Sequence, residues 1–124
     1  MQNEKLAKYI IELAKADQGA RFGSMKTKDR KKAGLKIIAI DKKNTKRAKQ
    51  IIEKYGWPGF DLIGRRASHM FWLIVQHADL NPEFQKQSLK LLKQAVKNSA
   101  MVWPVWLVRD IFLFIKLLIL SKNY

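Results

Sequence analysis

At 124 residues and 48% hydrophobic content, the chain has the size of one globular domain and is too apolar to be disordered. It has no cysteine, which excludes disulfides, zinc–thiolate sites and thiol nucleophiles. The net charge of +15 points to anionic partners, but 19 of the 25 basic residues are lysine, which suits loose electrostatics better than base-edge reading by arginine.

Met1-Gln2-Asn3-Glu4-Lys5 is polar and lacks the apolar core of a signal peptide, so a cytoplasmic setting is expected. Residues 3–19 read as a helix with Leu6, Ile10 and Leu13 on one stripe, and that stripe continues through Asp17 to Arg21. Residues 22–43 read as a basic loop region holding a short apolar element, Leu35–Ile40, that could be strand or helix. Across residues 22–50 there are 11 Lys/Arg against two acids, Asp29 and Asp41. Asn44 or Thr45 is the expected cap of a second helix carrying Ala48, Ile51, Ile52 and Tyr55, and Gly56 ends it.

Trp57-Pro58-Gly59 reads as a rigid turn, and Gly64 opens a helix from about Arg65 to Ala78. Ala67, Phe71, Ile74, Val75 and Ala78 form its core face. Arg65, His69, Trp72, Gln76 and Asp79 lie opposite, with Met70, Leu73 and His77 on a flank. Asn81-Pro82-Glu83 has the chemistry of a fresh helix start, and Phe84, Ser88, Leu91, Leu92, Ala95 and Val96 carry that helix to about Asn98. The hydrophobic segment 101–120 is interrupted by Arg109, Asp110 and Lys116, so a buried or interfacial helix is favoured over a span, with peripheral membrane contact left open. The expectation is a single all-α or nearly all-α domain over residues 1–124, a bundle of four to five helices with a basic loop segment.

Several of these pieces together resemble an uncharacterised, mainly bacterial domain family of unknown function. They are Asp17-Gln18 with Arg21, Asp41 with Asn44-Thr45, and Gly56-Trp57-Pro58 with Gly64. Trp72-Leu73-Ile74-Val75-Gln76-His77-Ala78-Asp79 and then Phe84-Gln85 complete the set. The Gly-Trp-Pro to Gln-His-Ala-Asp portion is the specific part. In the family a Leu-x-Asp-Arg element and a Tyr-Gly-Thr-Gln follow. Here the first is Leu107-Val108-Arg109-Asp110, with its charges reversed, and the second does not occur. The resemblance implies no reaction, but it implies that Asp17, Arg21, His77 and Asp79 lie near one another.

Histidine is the natural proton-transfer group near neutral pH, so His77 is the candidate catalytic base or acid, with Asp79 or Asp17 orienting it. On an ideal helix His77 and Asp79 point about 160° apart and converge only if the helix ends between them. Arg21 is the candidate anion clamp, and Gln76, His69 and Trp57 are further candidate ligand-binding residues. Against this stands a plainer assignment: His77 bonded to backbone, Asp79 capping a turn, and Trp57 packing its indole on the bundle. With two histidines, not at i, i+4, and no cysteine, metal ligation and a metal cofactor lack support. Two classes of function follow. One is a small-ligand-binding or hydrolytic protein using His77, Asp17 or Asp79, and Arg21 on a small anionic ligand. The other is a non-enzymatic module binding nucleic acid, weakly and without sequence preference, or an anionic membrane through the lysine-rich 22–50 surface.

Overall fold

A computed structural model describes residues 2–98, which form four α-helices and no strand. They are α1 (Glu4–Lys26), α2 (Arg30–Tyr55), α3 (Phe60–Gln76) and α4 (Pro82–Asn98). The architecture is all-α in one domain, and α1 packs against both α2 and α3 while α4 packs on α3. The expectations for 101–120 fall outside the described residues.

Asn3 starts α1 by accepting the Leu6 N–H on its side-chain oxygen at 3.0 Å, which satisfies one of the first turn's orphan donors. Leu6, Ile10, Leu13, Asp17 and Ala20 then recur at helical spacing, and all are buried. Asp17 is therefore buried because it occupies a core position of an otherwise apolar stripe. The helix does not stop at residue 19 but runs to Lys26.

The loop expected at 22–43 is instead helical on both sides of a short link at Thr27–Asp29. Asp29 caps α2 by accepting the Lys32 N–H at 3.0 Å, and the lysines, alanines and leucine that follow are good helix formers. Asn44 and Thr45, expected as caps, lie inside α2 and are buried. There Asn44 donates its amide to Leu13 O of α1 at 3.1 Å, and the Thr45 hydroxyl donates to Asp41 O one turn back at 2.7 Å. Tertiary partners thus override the local cap preference. Between Arg21 and Lys43 no residue is buried, so the linked ends of α1 and α2 form a two-helix arm without a core of its own. Gly56 ends α2 as expected, at φ 72°, with its N–H on Ile52 O at 2.8 Å.

Ser68, fully buried, donates to Pro58 O at 2.9 Å and fastens the Trp57-Pro58-Gly59 turn to α3. Within α3, Gly64 breaks the helical backbone at φ 82° and ψ 168°, a region open essentially to glycine, so the regular helix begins at Arg65. The expected core face of α3 is correct: Ala67, Phe71, Ile74, Val75 and Ala78 are all at most 2% exposed. Trp72, expected on the opposite polar face, is buried as well, its ring 6.2 Å from that of Trp57. The 57–59 turn folds an indole over this side of the helix and gives Trp72 an apolar neighbour that the helical wheel does not contain. Pro82 opens α4 in its first position, and Asn81 accepts the Phe84 N–H at 3.2 Å. None of the four helices is long and apolar enough to cross a membrane.

Candidate functional site

Four charged or titratable side chains from three helices meet where the buried stripe of α1 reaches its last apolar turn. Arg21, one turn beyond Asp17, grips Asp41 of α2 with two bonds, Nη1 to Oδ1 at 3.1 Å and Nη2 to Oδ2 at 3.0 Å. The same Nη1 also bonds Asp17 Oδ1. The other oxygen of Asp17 lies 2.8 Å from His77 Nδ1, at the C-terminal end of α3. Asp17 is 1% exposed and so has essentially no water to solvate it, whereas His77 is 25% exposed.

The protonation pattern follows from these contacts. When Asp17 accepts on both oxygens, from Arg21 and from His77, Nδ1 carries the hydrogen. The imidazole then has its lone pair on Nε2, which has no hydrogen-bond partner among the described residues. Burial pushes the His77 pKa below its ordinary value, and the Arg21 guanidinium pushes it further down, against the pull of Asp41 and Asp79. Asp41 moves the other way: burial raises its pKa, and this outweighs the lowering by Arg21. The lowered pKa favours the neutral imidazole of His77 at neutral pH.

The C-terminus of α3 is itself anchored. Gln85, 3% exposed on α4, donates its side-chain amide to two carbonyls of the last turn of α3, Val75 O at 3.2 Å, which also accepts the Ala78 N–H, and Gln76 O at 3.1 Å. It also reaches Asp79 Oδ1 at 3.3 Å. Helix α4 thereby fixes the turn on which His77 sits.

Of the residues expected in the site, His77, Asp17 and Arg21 come together. Asp79 is exposed, bonds Gln85, and influences His77 through its charge rather than by a hydrogen bond. Arg21 is occupied by two carboxylates and does not present an open fork to a ligand. Gln76 contributes its carbonyl to the Gln85 anchor. His69 stands two turns earlier on α3, its ring 5.5 Å from Phe60, with its pKa lowered by burial and by Arg65. Trp57 packs edge-on against Phe71, with centroids 5.1 Å apart, so it belongs to the core packing. Asp41 and Gln85 were not among the expected site residues. Their signal lay in the motif set, Asp41 with Asn44-Thr45 and Phe84-Gln85, and Asp41 fell in the stretch read as loop. Among the described residues, no group of three His, Asp or Glu side chains is arranged to hold a metal ion.

Beside the cluster, a cleft of about 300 Å³ opens between α2 and the α3–α4 connection, with Asp41, Lys42, Thr45, Lys46, Lys49 and Leu80 among its lining. Asp41 belongs to both cluster and cleft, and Ala78 of the lining follows His77 directly.

The fold and site define a helical bundle that buries an Asp–Arg–Asp network against one half-buried histidine. The chain belongs to the Family of unknown function (DUF6624), whose family model matches residues 4–103. Comparison with curated proteins and with solved structures gives no match.

Proposed function

We propose that the protein binds a small anionic ligand and acts on it through His77 as proton acceptor, with hydrolysis as the reaction class. The observation that carries this reading is the 2.8 Å contact between His77 Nδ1 and the buried Asp17 carboxylate, which leaves Nε2 as the basic atom. A base of this kind takes a proton from water or a hydroxyl as that oxygen attacks, and the adjoining carboxylate stabilises the imidazolium that forms. Arg21 bonds both Asp17 and Asp41, and the Arg21–Asp41 pair ties α1 to α2 beside the histidine. The absence of cysteine fits a reducing, cytoplasmic setting.

The test needs no substrate. Long-range proton–nitrogen NMR is expected to find His77 protonated on Nδ1 and bare on Nε2, titrating below its ordinary value near 6.5. The unfolded chain binds the His77 proton first as the pH falls, so the stability it confers is complete above about pH 6.5 and declines as the pH drops towards the folded value. His69 acts with the same sign, and Asp41, with its raised pKa, acts oppositely at lower pH. His77→Gln should therefore flatten the loss of stability between about pH 7 and 5. A proton on Nε2, or a midpoint above the ordinary value, would sink the proposal.

A second reading rests on the arm. It exposes Phe22, Met25, Leu35 and Ile38 among Lys26, Lys28, Arg30, Lys31, Lys32 and Lys36, the composition of a surface that meets a polyanion or an anionic membrane. This reading expects binding to vesicles containing phosphatidylserine that weakens steeply with salt and survives His77→Ala. Equal binding at about 50 mM and about 500 mM salt, roughly a third of and three times physiological ionic strength, would count against it.

A further inference from the structure

The sequence assigns anion binding to Arg21, but that guanidinium is already committed to Asp17 and Asp41. If a ligand of the proposed site is anionic, its charge must be met elsewhere, and the neighbouring cleft supplies the groups. Lys42, Lys46 and Lys49 stand at i, i+4 and i+7 on one face of α2 and line one concave surface. None of the three forms an ion pair with a carboxylate among the described residues, and Lys49 Nζ lies over the Phe84 ring at 5.8 Å. The carboxylate that shares the cleft, Asp41, is turned onto Arg21 by two bonds. The result is three cations facing a common space without a counter-charge.

We infer that this cleft binds a small molecule carrying two neighbouring phosphate groups and presents it to His77; the inference rests on the reading of His77 given above. Seven residues of helix spread Lys42, Lys46 and Lys49 over about 10 Å of axis, and three cations match the charge of a diphosphate better than that of a single phosphate. Lysine, as a compact point charge, meets phosphate oxygens without the planar geometry that arginine demands. Leu80 and Ala78 give the same cleft an apolar edge for the organic remainder of the ligand. Its volume, about 300 Å³, lies at the small end of ligand sites, which favours a compact phosphorylated metabolite over a polymer. The cleft adjoins the histidine cluster through two of its lining residues, Ala78, which follows His77 in the chain, and Asp41, which shares Arg21 with Asp17.

Inorganic pyrophosphate is the probe, with titration calorimetry on the full chain at fixed ionic strength. Wild type is expected to bind pyrophosphate at least about tenfold more tightly than inorganic phosphate, a difference of about 1.4 kcal/mol. Lys46→Ala/Lys49→Ala should weaken pyrophosphate about tenfold or more. Lys31→Ala/Lys32→Ala on the arm removes the same charge and should change it less than about twofold. All four lysines are exposed, so these variants keep the fold, and circular dichroism confirms it. Equal losses in the two double variants mean diffuse attraction to a basic surface and overturn the cleft. So does an absence of pyrophosphate heat in wild type. The His77 reading is judged separately, by its tautomer and midpoint in ligand-free protein, so either can fall while the other stands. Pyrophosphate bound in the cleft should also raise the His77 midpoint in wild type. An unmoved midpoint would overturn the delivery of the ligand to His77.

Discussion

Arg21→Met should cost about 3 kcal/mol or more of unfolding free energy at neutral pH, measured by urea denaturation. Removing one partner of a buried charge network typically costs about 3–5 kcal/mol, because the remaining charges are left uncompensated. Here two carboxylates lose their shared cation at once. Asp17, 1% exposed, cannot recover hydration without a shift of the backbone, whereas Asp41, 14% exposed, borders the cleft. Arg21 is itself 28% exposed, which places the loss at the lower end of the range. The variant carries its own signature in pH. Without the guanidinium the Asp41 pKa, already raised by burial, rises further, so the folded form takes up its proton at higher pH than in wild type. Its deficit against wild type should then shrink as the pH falls towards about 4. Adding Asp41→Asn should restore part of the loss at pH 7. A deficit under about 1 kcal/mol, independent of pH, would mean that the network behaves as an exposed surface pair and does not brace His77.

Phe71→Ala is the second large effect, at about 3–5 kcal/mol, the usual range for emptying a buried aromatic site. Phe71 is 0% exposed, sits mid-helix on the core face of α3, and receives the edge of Trp57. Its neighbours cannot close the void cheaply, because Trp57 is fixed in its turn by the Pro58–Ser68 bond. Domains of this size have a total stability of about 5–15 kcal/mol, so the variant should melt far below wild type, with an unchanged urea m-value if it still unfolds in one step. A loss below about 1.5 kcal/mol would show that α3 is packed loosely, and the placement of His77 at its end would then lack a rigid base.

The second half of the described chain is legible because its signals are local. Gly56 before Trp57-Pro58, Gly64 before an amphipathic run and Asn81 before Pro82 each place a boundary within a residue or two, and the α3 stripe names its own core. The arm is illegible for the opposite reason. Its helices face a neighbour on one side only, so apolar residues are scattered rather than periodic. Gly19, Gly23 and Gly34 lower helix propensity without meeting any close contact that would explain them. The site divides the same way. The continuation of the α1 stripe through Asp17 announces a buried carboxylate. The partner of His77, however, is sixty residues away in sequence, and no spacing rule reaches that far. Two neighbours in sequence, His77 and Asp79, are instead separated, one facing Asp17 and the other held by Gln85.

The coreless arm also fixes how the molecule should come apart. Opening between residues 22 and 40 exposes no buried side chain, so its amides are free to exchange with solvent through local fluctuations that leave the bundle closed. Deuterium uptake should accordingly be fast along the arm and slow around Phe71 and Val75. The boundary between the two regimes falls at Arg21 and Asp41, whose paired bonds clamp the base of the arm. The side chains that brace the histidine thus also act as the latch at which fraying stops.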